Sequence, residues 1–215
     1  MTYVSWAALY EGATDQAYFE LLIPRVMEDM IMLRGIRHST VPPAPAVRLQ
    51  RGTVEHVAQQ ACSASDAFQL VFIHADTGGR ALEEDLADRS VRYCEAMHAI
   101  CSWPAVRCIT ISPRHETEAW ILADPHAVTA ALGYLGSPNS IGLPSDANQA
   151  ERLGDPKAVL AEAMVQVRGR RRHPDVKQMF PAIAQRQSLT KLRLARSFAA
   201  FEVRLRAALA DLGCI

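Results

Sequence analysis

Residues 69–74 (QLVFIH) are almost continuously apolar and run straight into Ala75-Asp76-Thr77-Gly78-Gly79. A short apolar run bounded by turn residues is what a strand buried on both faces of a parallel sheet requires, because helices cover both sides of such sheets. Parallel neighbours cannot be joined by tight hairpins. Each needs a crossover, usually a helix, so the run is only consistent with a chain that supplies helices between strands.

The rest of the sequence supplies them. Residues 3–10 (YVSWAALY) are apolar and partly β-prone, and residues 15–33 place Phe19, Leu22, Ile23, Val26, Met27 and Met30 at helical spacing. Pro42, Pro43 and Pro45 mark a loop, residues 46–50 a short strand, and residues 53–65 a helix. After the central strand, residues 80–100 read as one long helix and residues 106–111 (VRCITI) as a further strand. Residues 115–131 then read as a helix in two pieces, the second opened by Pro125 after Asp124. This alternation predicts an α/β domain over residues 1–132: a Rossmann-like parallel sheet covered by helices, with right-handed crossovers. Residues 133–155, rich in Gly and Pro, predict a loop, and the helices expected at 156–167 and 189–212 make residues 156–215 a C-terminal helical extension.

Hydrophobic residues at 49% and charged residues at 21% exclude a disordered chain, and 215 residues can bury a substantial core. Lys plus Arg and Asp plus Glu are 23 each, so overall charge does not choose a partner. No apolar run nears the ~20 residues of a membrane span and no signal segment is visible, which predicts a cytoplasmic protein with no membrane partner. Five cysteines without a CxxC pair predict neither a disulfide framework nor a zinc knuckle; they read as small buried hydrophobes. Cys94, His98 and Cys101 share one helix face and are the cysteines' best alternative as metal ligands.

Chemistry is expected beyond the carboxyl ends of the strands, where open α/β sheets bind ligands. Acids fall there repeatedly: Glu11 after the first strand, Asp76 after the central one, and Glu116, Glu118 and Asp124 after the next. Carboxylates converging from separate strands repel unless a cation lies between them, and oxygen ligands select Mg²⁺ or Mn²⁺. Asp15 reads as the N-cap of its helix, and Gly12 as the hinge exposing Glu11. No GxxxxGK[ST] or GxGxxG is present, so ordinary nucleotide cradles are absent. The run RGRRRH, residues 168–173, is the densest positive stretch and suits a nucleic-acid backbone or a solvated loop.

Taken in order, LYEGATDQAYFELLIPRV, FIHADTGGR and HETEAWILAD resemble the Toprim fold of topoisomerases, primases and overcoming-lysogenization-defect nucleases, and most closely the small RloB-related proteins. The tail LTKLRLARSFAAFEVRLRAAL is similar to the helix that closes them. The resemblance implies a divalent-metal-dependent phosphodiesterase acting on DNA or RNA. Glu11 takes the first motif's glutamate, Asp76 the second aspartate of Asp-x-Asp, and Glu118 and Asp124 the third motif. It implies Glu11, Asp76 and Glu118 as catalytic groups, and Glu11, Asp76, Glu118, Asp124 and His74 as the metal set. The chain departs from the pattern at His74, where the family has aspartate; imidazole is a poor Mg²⁺ ligand and would shift preference toward Mn²⁺. Arg80, Arg114, Arg168, Arg170, Arg171, Arg172 and Lys191 are the expected nucleic-acid contacts. The resemblance also implies a partner ATPase of the AAA or ABC type in a phage-defence-like system, and leaves a homo-oligomer open. The rival reading is a non-catalytic Toprim-like regulatory or adaptor subunit whose altered second motif marks lost activity.

Overall fold

The computed structural model describes residues 2–78, 89–169 and 176–215. Its centre is a four-stranded, wholly parallel sheet in the order β4-β2-β5-β6, built from β2 (Trp6–Leu9), β4 (Val47–Arg48), β5 (Leu70–His74) and β6 (Cys108–Ile111). A separate parallel pair joins β1 (Thr2–Tyr3) to β3 (Ser39–Thr40). The chain starts in the middle of the main sheet at β2, steps out to β4, then crosses back to β5. That reversal between β2 and β5 leaves a crevice at their carboxyl ends.

Alternation along each strand assigns its side chains to two cores. Trp6, Ala8, Leu70, Phe72, Ile109 and Ile111 face one; Ala7, Leu9, Val71, Ile73 and Cys108 face the other. The second core is closed by α2 (Val54–Ser63) and α3 (Val91–Cys101), which contribute Val57, Ala58, Ala61 and Met97. Thr53 caps α2 by accepting the His56 N–H at 3.2 Å. The predicted helix at 80–100 is seen here as α3; residues 79–88 lie outside the described residues.

The first core is larger. It gathers α1 (Ala13–Arg34), α4 (Glu118–Leu122), α5 (Pro125–Leu132), α6 (Ala147–Ala150), α7 (Pro156–Arg168), α8 (Val176–Arg186), α9 (Leu189–Leu192) and α10 (Arg196–Asp211). Trp120 on α4 sits against Phe19, Phe198 and Phe201 at ring-centroid distances of 5.7, 5.0 and 5.7 Å, and donates its indole N–H to Ser197 Oγ at 2.7 Å. The C-terminal helical extension packs on one face of the sheet and completes it. Residues 133–155 also differ from a plain loop: a short 3-10 turn at Pro138–Ile141 and α6 bury Ile141, Leu143, Ala147 and Ala150. At the end of that segment the Glu151 carboxylate accepts the N–H groups of Arg196 (2.7 Å) and Ser197 (2.8 Å), fastening the start of α10.

The cysteines correct the sequence reading. Cys62 on α2 is bonded to Cys101 on α3, and Cys94 on α3 to Cys108 on β6, leaving Cys214 buried and free. Spacing did not reveal this because each partner comes from a different element. The Cys94–His98–Cys101 stripe is thereby consumed by two disulfides, and His98 Nδ1 lies 3.1 Å from the Trp103 carbonyl oxygen. No helix among the described residues is long and apolar enough to cross a membrane.

Candidate metal centre and adjoining cleft

The crevice between β2 and β5 is where the acids gather. β5 ends at His74, whose side chain is fully buried, and the chain leaves through Ala75, Asp76, Thr77 and Gly78. This loop is laced to the one after β6. Ala75 N–H donates to Ile111 O at 3.1 Å, Gly78 N–H to His115 O at 3.0 Å, and His115 N–H to Thr77 Oγ1 at 2.8 Å. Gly78 (φ 58°) and His115 (φ 65°) both adopt left-handed backbone, which suits the glycine and strains the histidine.

Asp15, His74 and Asp76 each place a ligand atom within 4.8 Å of the other two, the group of this kind found among the described residues. Ligand bonds of ~2.0–2.6 Å let one hard cation reach such a set. Thr117, fully buried, ties it together: its hydroxyl donates to Asp15 Oδ1 at 2.7 Å and lies 3.3 Å from His74 Nε2 and 3.5 Å from Asp76 Oδ1. His74 Nδ1 accepts the Glu11 N–H at 3.4 Å, which leaves the ring proton on Nε2, 3.2 Å from Asp76 Oδ1. In this arrangement the imidazole orients the Asp76 carboxylate, and a cation seated on Nε2 must displace that proton. Burial pushes the Asp15 carboxyl above its ordinary pKa, opposed by His74 and the Thr117 hydrogen bond and reinforced by the Asp76 and Glu11 charges. A bound cation would relieve that cost.

Asp15 is thus not the N-cap. Gly12 holds that position in extended conformation, and Asp15 is the third residue of α1, within its first turn. Gly12 is explained by close approach: a Cβ there would stand 2.9 Å from Asp15 Oδ2. Glu11 lies beside the three ligand-bearing residues. Its Oε2 accepts the Asp76 N–H at 2.8 Å, and its Oε1 is 3.8 Å from Arg89 Nη1, which also donates to the Asp76 carbonyl at 2.6 Å.

The remaining expected ligands stand apart. Glu118 opens α4 outside the three-residue group, and burial, with the Glu116 and Asp76 charges, pushes its pKa up to about 7 against the pull of its own backbone N–H and Lys157. Asp124 is not placed to ligate: it caps α5 through Ala127 N–H (3.4 Å), accepts Ser188 N–H at 3.0 Å and pairs with Lys191 Nζ at 2.6 Å. Lys191 is thereby engaged in an ion pair, with its side chain still partly open to solvent. Arg114 is exposed. Arg168, at the end of α7, lines a separate cleft of about 310 Å³ with Gln178, Met179 and Arg186. Arg80, Arg170, Arg171 and Arg172 lie outside the described residues.

Beside the acids lies a cleft of about 460 Å³ that sequence reasoning missed. Its walls include Tyr10 and Glu11 after β2, Arg51 and Gly52 after β4, His74 and Ala75 after β5, and Arg89, Arg92 and Tyr93 at the start of α3. No linear motif joins these arginines; only the β4-β2-β5 order brings them to one place. Comparison with known proteins adds no relative: no family model, no curated protein and no solved structure matches the chain.

Proposed function

We propose that this protein is a divalent-metal-dependent phosphodiesterase of Toprim-like type acting on nucleic acid. The observation that carries the reading is the Asp15–His74–Asp76 group beside an arginine-lined cleft at the β2/β5 crevice. Metal-assisted phosphoryl transfer uses both halves: a cation to polarise the phosphate and activate water, and guanidinium groups to hold the anion and its developing charge. Asp15 and Asp76 would hold Mg²⁺ or Mn²⁺, with His74 as a third ligand or as the group orienting Asp76. Glu11 would serve as general base, and Glu118 as a further acid or base. An AAA- or ABC-type ATPase partner and a cytoplasmic location belong to the same proposal. Cys62–Cys101 and Cys94–Cys108 favour a second reading on location, an oxidising compartment, since such bonds are rare where thiols are kept reduced.

The test is cleavage of single- and double-stranded DNA and RNA with Mg²⁺ or Mn²⁺, comparing the wild type with Asp76→Asn, Asp15→Asn and Glu11→Gln. Metal-dependent cleavage lost in the two aspartate variants supports the proposal. Cleavage that persists in both removes it, and no cleavage in either metal, with and without a partner ATPase, favours the regulatory-subunit alternative.

A further inference from the structure

We infer that the cleft lined by Arg51, Arg89 and Arg92 is a subsite for a single nucleotide's phosphate, so that the protein takes single-stranded nucleic acid in preference to duplex. The inference deepens the phosphodiesterase reading and rests on it for the identity of the ligand as nucleic acid.

Charge comes first. Three guanidiniums face one carboxylate of the lining, Glu11. Arg89 spends part of its hydrogen-bonding capacity on the Asp76 carbonyl and lies near Glu11, so it fixes the boundary between cleft and acid group. Arg51 and Arg92 are both exposed, and no carboxylate among the described residues forms an ion pair with either. Two arginines from separate elements, converging on one hollow with no ion-pair partner among the described residues, suit a phosphate, which guanidinium forks bind in bidentate fashion.

Size decides the form. A volume of about 460 Å³ corresponds to a sphere about 10 Å across, within the usual range of small-ligand sites. A duplex carries its phosphates on a stiff, wide rod that can touch only the rim of this hollow, whereas one nucleotide of a flexible strand can enter it. His74 and Glu11 line the same hollow that borders the Asp15–His74–Asp76 group. A phosphate held by Arg51 and Arg92 would therefore leave its neighbour along the strand facing the carboxylates.

The test is fluorescence anisotropy in EDTA with a 3′-fluorescein-labelled twelve-nucleotide oligothymidylate, single-stranded or annealed to oligodeoxyadenylate, across a salt series. The single strand should bind at least about tenfold more tightly than the duplex. Arg51→Ala and Arg92→Ala should each weaken it by about fivefold and each flatten the salt dependence by ~0.7 in log–log slope, the value for one lost phosphate contact on a single strand. Arg→Lys at either position should keep the slope. A 5′-phosphorylated and a 5′-hydroxyl strand separate the two phosphate sources: a preference for the former assigns a terminal phosphate, equality an internal one. Wild-type affinity and slope in both alanine variants, equal binding of duplex, or no binding at all would overturn the inference. Because no metal is present, this failure is distinct from that of the phosphodiesterase reading. Cleavage with unchanged Arg variants would leave that reading standing, and Arg-dependent binding without cleavage in any metal would remove it alone.

Discussion

The Glu11 carboxylate accepts the backbone N–H of Asp76 at 2.8 Å, joining the ends of two neighbouring strands at residues 65 positions apart in sequence. Charge-assisted bonds of this kind are worth ~1.5–3 kcal/mol. Glu11→Ala should lower stability by about 2 kcal/mol in urea denaturation, whereas Glu11→Gln, which keeps an acceptor oxygen, should cost less than half as much. Equal losses would mean that the bond does not hold the loop.

Metal binding gives a readout independent of turnover. Mn²⁺ at one hundred times its dissociation constant should stabilise the wild type by ~2.7 kcal/mol, seen as a rise in Tm. Asp76→Asn and Asp15→Asn should abolish that rise. Asp124→Asn should retain it, because Asp124 is occupied by Ala127, Ser188 and Lys191.

Asp124 should matter to folding instead. Burial alone would raise its pKa, but the Lys191 ammonium and the Ser188 and Ala127 N–H groups outweigh that and hold it below the ordinary aspartate value. A carboxyl depressed in the folded state stabilises at pH above its unfolded pKa, and the contribution disappears as pH falls through the folded one. Asp124→Ala should therefore cost about 2 kcal/mol at pH 7, from a lost cap and the lost Ser188 N–H bond. The difference from wild type should shrink below about pH 4 in acid denaturation series.

Glu118 has the opposite sign. Its folded pKa of about 7 lies above the ordinary value, so the folded state holds its proton longer than the unfolded one. Its contribution is fully present below about pH 4.5 and is lost as pH rises to 7. Glu118→Gln should be neutral at pH 4 and more stable than wild type by roughly 1–2 kcal/mol at pH 8, measured without metal. A constant difference across pH would contradict the burial argument.

His115 carries a left-handed backbone at φ 65° while its N–H and C=O bind Thr77 and Gly78. His115→Gly keeps those backbone bonds and removes the Cβ conflict of roughly 1–2 kcal/mol, partly offset by the entropy of glycine. The variant should be as stable as wild type or up to about 1 kcal/mol more so, whereas Gly78→Ala should lose about 1 kcal/mol.

Residue periodicity made the sheet legible because its strands obey local rules: β5 and β6 are short apolar runs, and Asp76 follows β5 where a crevice ligand should. What local pattern could not show is which residues meet. Asp15 reads as a helix cap because aspartate at a helix start usually is one, and only the fold shows that Gly12 holds the N-cap position and that the Asp15 carboxylate accepts from Thr117. Asp124 sits in a motif with Glu118, yet helix capping and Lys191 claim it. Arg51 and Arg92 are forty-one positions apart and become neighbours of one cleft through strand order alone. The disulfides escaped for the same reason.

The His74 ring lies 4.6 Å from the Phe19 ring, and Phe19 in turn touches Trp120, at the centre of the large core. The ionic group has no foundation of its own: its imidazole stands on the same aromatic column that holds α1 against α4 and α10. Truncating Phe19 or Phe198 would thus be felt as a change in cation affinity before any contact with solvent changed, which makes metal titration a gauge of how tightly the interior is packed.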